Sequence, residues 1–106
     1  MFIEYVTMYA IKKALGLDDE EVRYSYSPFC LNAKVDSKYS RCKQFVIYGD
    51  YKEVDIFFEG SVTDSTVSEI GKFGIVVVKP IKMPEENELR VTPVVKDGVC
   101  LHMSWR

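Results

Sequence analysis

Cys100 and His102 have the most chemistry to offer in this chain: a thiol and the sole imidazole, two residues apart. On a strand, residues two apart share a face, here the one opposite Met103 and Trp105. They would stand about 7 Å apart, beyond the hydrogen-bond reach that a thiolate–imidazole dyad requires. A nucleophilic reading therefore needs a partner from another strand. The plainer reading is a buried thiol beside a partly exposed ring. A zinc site would have to draw Cys30 or Cys42 to the same place. Structural zinc normally uses pairs of cysteines or histidines a few residues apart, and this chain has none, so neither a metal nor a cofactor is expected.

Glu53, Asp55 and Glu59 project from one face of a single strand. Two carboxylates can share acid–base work when their environments split their affinities for a proton. Alternating acids on a strand are more simply its solvated face, which could also meet a basic partner. The segment from Lys34 to Lys43 holds Lys34, Lys38, Arg41 and Lys43 against Asp36, with Tyr39 among them. Basic residues around an aromatic are the minimal ingredients for contact with a phosphate or a single strand. Gly71-Lys72-Phe73-Gly74 is the nearest thing to a phosphate-cradling loop, but it precedes a strand and opens no helix. No serine-hydrolase elbow or paired-histidine metalloprotease motif occurs, and no catalytic residue is assigned.

Composition limits the alternatives. The 106 residues suit a single α+β domain, 1–106, with 47% apolar and 13% aromatic residues. A net charge of −2 supplies no bulk attraction to nucleic acid. No stretch is long and apolar enough to span a bilayer, and no signal peptide is visible, with Glu4 early and Lys12-Lys13 after the first apolar residues. Three cysteines in no paired spacing, and no glycosylation sequon, favour a reducing, cytoplasmic setting.

The elements that would position these residues follow from periodicity. Phe2, Ile3, Val6, Tyr9, Ala10, Lys13 and Ala14 have helical spacing over 2–15, with Gly16 as the left-handed stop and Leu17 as its apolar contact. Asp18-Asp19-Glu20-Glu21 reads as a solvated link. Val22, Tyr24 and Tyr26, then Phe29, Leu31, Ala33 and Val35, predict two strands with one apolar face. Pro28 bars the usual two-residue hairpin turn between them, because its φ cannot be positive. Residues 36–43 read as a polar loop. A Gly49-Asp50 turn would pair Phe45 with Val54 and Ile47 with Lys52, leaving Glu53, Asp55 and Glu59 on the far face. Asp64 or Ser65 would cap a short helix to about Ile70, with Thr66 and Glu69 as a capping box.

Phe73-Gly74-Ile75-Val76-Val77-Val78 lacks alternation, which predicts a central strand or one covered on its second side. The last eighteen residues predict a hairpin. A Lys96-Asp97-Gly98 loop, with Gly98 left-handed, would pair Val95 with Val99, Pro93 with Leu101, Val91 with Met103 and Leu89 with Trp105. The expected fold is α+β: an N-terminal helix packed on a mostly antiparallel sheet of six or seven strands, and one short helix near 65–71.

These features point to a small non-catalytic protein-binding module: an inhibitor, adaptor or assembly component. Tyrosine gives large contact area at low entropic cost. The binding residues expected are Tyr39, Arg41, Tyr48, Tyr51, Glu53 and Asp55. Compact, motif-poor, aromatic-rich chains of this size are common among phage and mobile-element accessory proteins that act by binding, an association carried by no particular residue. The alternatives are nucleic-acid or nucleotide binding through Lys34, Lys38, Arg41 and Lys43, and a small enzyme using Cys100 or the strand carboxylates. The expected partner is another protein, with no membrane. A further alternative is self-association, with a second copy paired through an edge strand such as the C-terminal one ending at Trp105-Arg106.

Overall fold

The computed structural model describes residues 3–28, 30–49, 52–81, 94–95 and 97–105, without the side chains of residues 3–7 and 19. Helix α1 (Ile3–Leu15) ends as its sequence demands. Gly16 takes φ 68°, its N–H donates to the Lys13 carbonyl (3.2 Å), and Leu17 N–H donates to the Lys12 carbonyl (2.9 Å). That pair of bonds closes a helix whose last turn places Lys12 and Lys13 near the negative pole. The acidic link that follows is wound into a 3-10 turn, Asp19–Glu21.

Strands β1 (Val22–Tyr26) and β2 (Cys30–Val35) pair antiparallel, Tyr24 opposite Ala33 and Tyr26 opposite Leu31. Ser27 N–H donates to the Cys30 carbonyl (2.9 Å), so the connection is two residues long despite Pro28. Strand β3 (Cys42–Tyr48) starts inside the segment expected to be a loop. A bulge between Cys42 and Gln44 makes this possible: Cys42 pairs with Phe58 and Gln44 with Phe57, leaving Lys43 as the extra residue. Cys42 thus turns into the core, while the Lys43 amine donates to the Ser37 carbonyl (2.9 Å).

Strand β4 (Glu53–Glu59) pairs with β3 two residues out of the expected register. Phe45 faces Ile56 and Ile47 faces Val54, in place of Val54 and Lys52. A shift of two preserves the faces, so alternation could not detect it. It sets two apolar pairs together and leaves Lys52 exposed. Helix α2 (Asp64–Gly71) is capped one residue before the expected position: Thr63 Oγ1 accepts from Thr66 N–H (3.2 Å), and Asp64 sits in the first turn.

The largest departures concern the two C-terminal strands. Sheet order is β1-β2-β3-β4-β6-β5, every adjacent pair antiparallel. Strand β6 (Gly98–Trp105) lies between β4 and β5 (Gly74–Pro80), both of its sides occupied. No place remains beside it for a hairpin partner. Val99 pairs with Phe58 and Pro80 rather than with Val95, which is buried in a cluster with Val46, Phe57 and Cys100; residues 89–93 lie outside those described. Gly98 is absent from the positive-φ glycines. Its role is close approach, since a Cβ there would sit 1.9 Å from the Phe58 carbonyl oxygen. The C-terminal strand is therefore internal rather than an edge. Strand β5, expected to be central or covered on its second side, is the edge strand among the described residues.

Both helices cover one face of the sheet. Ile11 and Ile70 are buried there among Ala33, Phe45, Ile47, Ile56, Leu101 and Met103. The opposite face, expected to be wet, carries a second core of Val46, Tyr48, Phe57, Val95 and Cys100, with Cys30 and Ile81 against it. Burying a valine or phenylalanine contributes about 1.5–3 kcal/mol, so this layer is a substantial part of the fold. Gly98→Ala should cost at least about 2 kcal/mol in denaturant unfolding, because the new methyl must displace strand backbone rather than a flexible side chain. A near-neutral result would contradict the packing of β6 against Phe58.

Candidate functional site

The second face has three zones. At one end Gln44 is a fully buried amide: its Nε2 donates to Asn32 Oδ1 (2.8 Å) and its Oε1 accepts from Val94 N–H (2.9 Å). These bonds tie the chain just before Val95 to the sheet. The middle is the apolar cluster. At the other end stands the chemically richest group in the molecule. The β4–β6 register puts Asp55 directly across from His102 and Phe57 across from Cys100. Asp55, 2% exposed, accepts from the Tyr48 hydroxyl on one oxygen and meets His102 Nδ1 at 2.5 Å on the other. Glu53 Oε1 lies 3.3 Å from His102 Nε2.

Thiol, imidazole and carboxylate therefore converge, which alternation along a single strand does not reveal. The missing partner from another strand is Asp55, delivered by cross-strand register. The thiol is nevertheless disarmed. Burial, with the Asp55 carboxylate beside it, pushes the Cys100 thiol up from 9.0 to about 12. A carboxylate raises a thiol where a nucleophile needs a cation to lower it. Both ring nitrogens of His102 face carboxylates, an arrangement that fixes the orientation of the ring. Among the described residues no group of three or more such side chains is arranged so that it could hold a metal ion. What the geometry performs is satisfaction of a buried carboxylate: Asp55 can lie under the second face because a phenol and an imidazole meet it there.

The expected binding residues fall in different places. Tyr39 is 96% exposed, and Arg41 is exposed with its guanidinium donating to Ser61. Tyr48 and Asp55 are buried and bonded to each other, so neither is an exposed contact residue. Glu53 is half-buried against His102, Glu59 is exposed, and Tyr51 lies outside the described residues. The strand carboxylates thus occupy three environments rather than one wet face. Lys34 and Lys43 line an open hollow of about 560 Å³ with Asp36, Glu59 and Asp97. Three acids share the hollow with the two lysines, so it is not a purely basic surface for phosphates. Lys38 is exposed beside Tyr39.

Strand β5 is legible in the sequence as a strand, but its place at the sheet edge with exposed apolar side chains is not. Ile75 is 67%, Val77 47% and Val78 51% exposed. Ile75 and Val77 pair with Ser104 and His102, so they stand on the second face next to the Asp55 group. No family model, curated protein or solved structure matches this chain. Among the described residues no helix is long and apolar enough to cross a membrane.

Native Cys100 should resist iodoacetamide at mildly alkaline pH and label only on unfolding; rapid native labelling would contradict its burial. With folded thiols at about 12 and unfolded ones at 9.0, the stability that Cys42 and Cys100 contribute is full below pH 9.0 and is lost as pH rises towards 12. His102→Ala, which strips Asp55 of a partner, should cost about 1–3 kcal/mol in urea unfolding. An unchanged midpoint would show that Asp55 does not depend on it.

Proposed function

We propose that this chain is a small non-catalytic protein-binding module, of inhibitor, adaptor or assembly type, whose binding surface is the β5 edge of its sheet. One observation carries the reading: the strand richest in exposed apolar side chains is an edge strand. Edge strands present a row of backbone donors and acceptors, and soluble proteins normally blunt them with charge, proline or brevity. The opposite edge, β1, is treated that way, with Arg23 paired to Asp36 (2.9 Å) and Ser25 exposed. Strand β5 runs Gly74-Ile75-Val76-Val77-Val78 with no charge before Lys79. A partner's extended segment would add to it as a further strand, using main-chain bonds for affinity and side-chain fit for choice.

The test is capture by the tagged chain from native host extract, compared with an Ile75→Lys/Val77→Lys variant. Both positions are exposed, so the variant should keep the thermal midpoint to within a few degrees and lose capture. Undiminished capture by a folded variant would refute the β5 reading.

A further inference from the structure

We infer that the strand that adds to β5 is β5 of a second copy of this chain, paired antiparallel about a two-fold axis at Val76. This rests on the β5-edge reading above and names its occupant. Backbone parity supplies the first support. Ile81 N–H donates to the Gly98 carbonyl (3.1 Å), and Ile81 opposite Gly98 continues the β5–β6 register. In an antiparallel ladder the bonded residues alternate. Positions 75, 77, 79 and 81 therefore turn their backbone groups toward β6, and Gly74, Val76 and Val78 turn theirs outward. Pro80 falls in the outward set and has no N–H, so the usable row ends at Val78.

A two-fold axis at Val76 matches every member of that row. Val76 bonds with the second copy's Val76, and Gly74 with its Val78. The side chains agree with the backbone. Ile75 stands opposite Val77 of the second copy on one face, and Val76 opposite Val76 on the other. Gly74 stands opposite Val78, the smallest side against a branched one. Gly74 cannot be enlarged, because a Cβ there would lie 2.0 Å from the Ser104 carbonyl oxygen. Lys72 and Lys79 both fall outside the paired five residues, so no charge is buried and no like charges meet. An axis at Val77 is worse on each count: it sets Lys79 opposite Ile75 and spends one outward position on Pro80. A foreign strand has to be chosen to match this row, whereas a second copy matches it by symmetry. The association would turn β5 into the central strand that its unalternating sequence describes, in one continuous sheet through both copies.

Sedimentation equilibrium of the full chain, from low to high micromolar concentration, is the test. The wild type should pass from monomer to dimer, and Ile75→Lys and Val78→Lys, each at an exposed position, should weaken dimerisation by roughly tenfold or more while remaining folded. Register is read by oxidation in a Cys30→Ser background. Ile75→Cys combined with Val77→Cys should give a covalent dimer, and Val77→Cys alone should not. Cross-linking by Val77→Cys alone would overturn the Val76 axis, and a dimer indifferent to both lysines would overturn the surface. A chain that stays monomeric, yet loses extract capture with Ile75→Lys/Val77→Lys, overturns the second copy and leaves the β5 reading standing. A monomer whose capture ignores those lysines overturns both.

Discussion

Everything distinctive in this fold depends on β6 being hydrogen-bonded on both sides. Its even-numbered residues bond toward β5 and its odd-numbered ones toward β4, as the Trp105 N–H to Lys52 carbonyl bond (2.5 Å) illustrates. The chain leaves β4, turns through α2, lays down β5, and returns to fill the gap between them. Two results follow from this insertion. His102 is set across from Asp55, and β5 is pushed to the margin of the sheet. The polar cluster and the apolar edge are therefore two results of one topological step.

The buried carboxylate shows how such an insertion can be stabilised. Isolated in an apolar layer, the carboxyl group of Asp55 would be costly to bury. Tyr48 from β3 and His102 from β6 supply two hydrogen-bonding groups, so the carboxylate ties three neighbouring strands together. Gln44 plays the neutral counterpart at the other end, tying Asn32 of β2 and Val94 to β3. Between them Val46, Phe57, Val95 and Cys100 exclude water. A layer closed by polar clasps at both ends has little tolerance for register error, because a slip of one residue would strand each clasp.

Local signals in the sequence are mixed, since the end of α1 and the strand faces hold while Pro28, the α2 cap and Gly98 do not, and long-range pairing is not legible at all. Gly16 and Leu17 end α1 as their chemistry requires, and alternation sorted the apolar faces of β1, β2, β3 and β4 correctly. Register within the β3–β4 hairpin was out by two residues, a shift invisible to a period of two. The C-terminal hairpin was misread for a related reason. Val99, Leu101 and Met103 alternate equally well beside Val95, Val91 and the rest, or between two strands distant in sequence. The second core did leave a trace. Val46 sits between Phe45 and Ile47, and Phe57 between Ile56 and Phe58, so each strand places at least one large apolar residue on its second face. The same signal in β5 has no cover among the described residues. Apolar character on both faces states that a strand will be covered, and not by what.

Amide hydrogen exchange along β6, followed by NMR on the native chain, tests the insertion most directly. Two ladders predict unbroken protection from Val99 to Trp105, even- and odd-numbered positions alike. Protection on alternate residues alone would mean one open side, as in a terminal hairpin, and would contradict the topology from which both the Asp55–His102 contact and the exposed β5 edge arise.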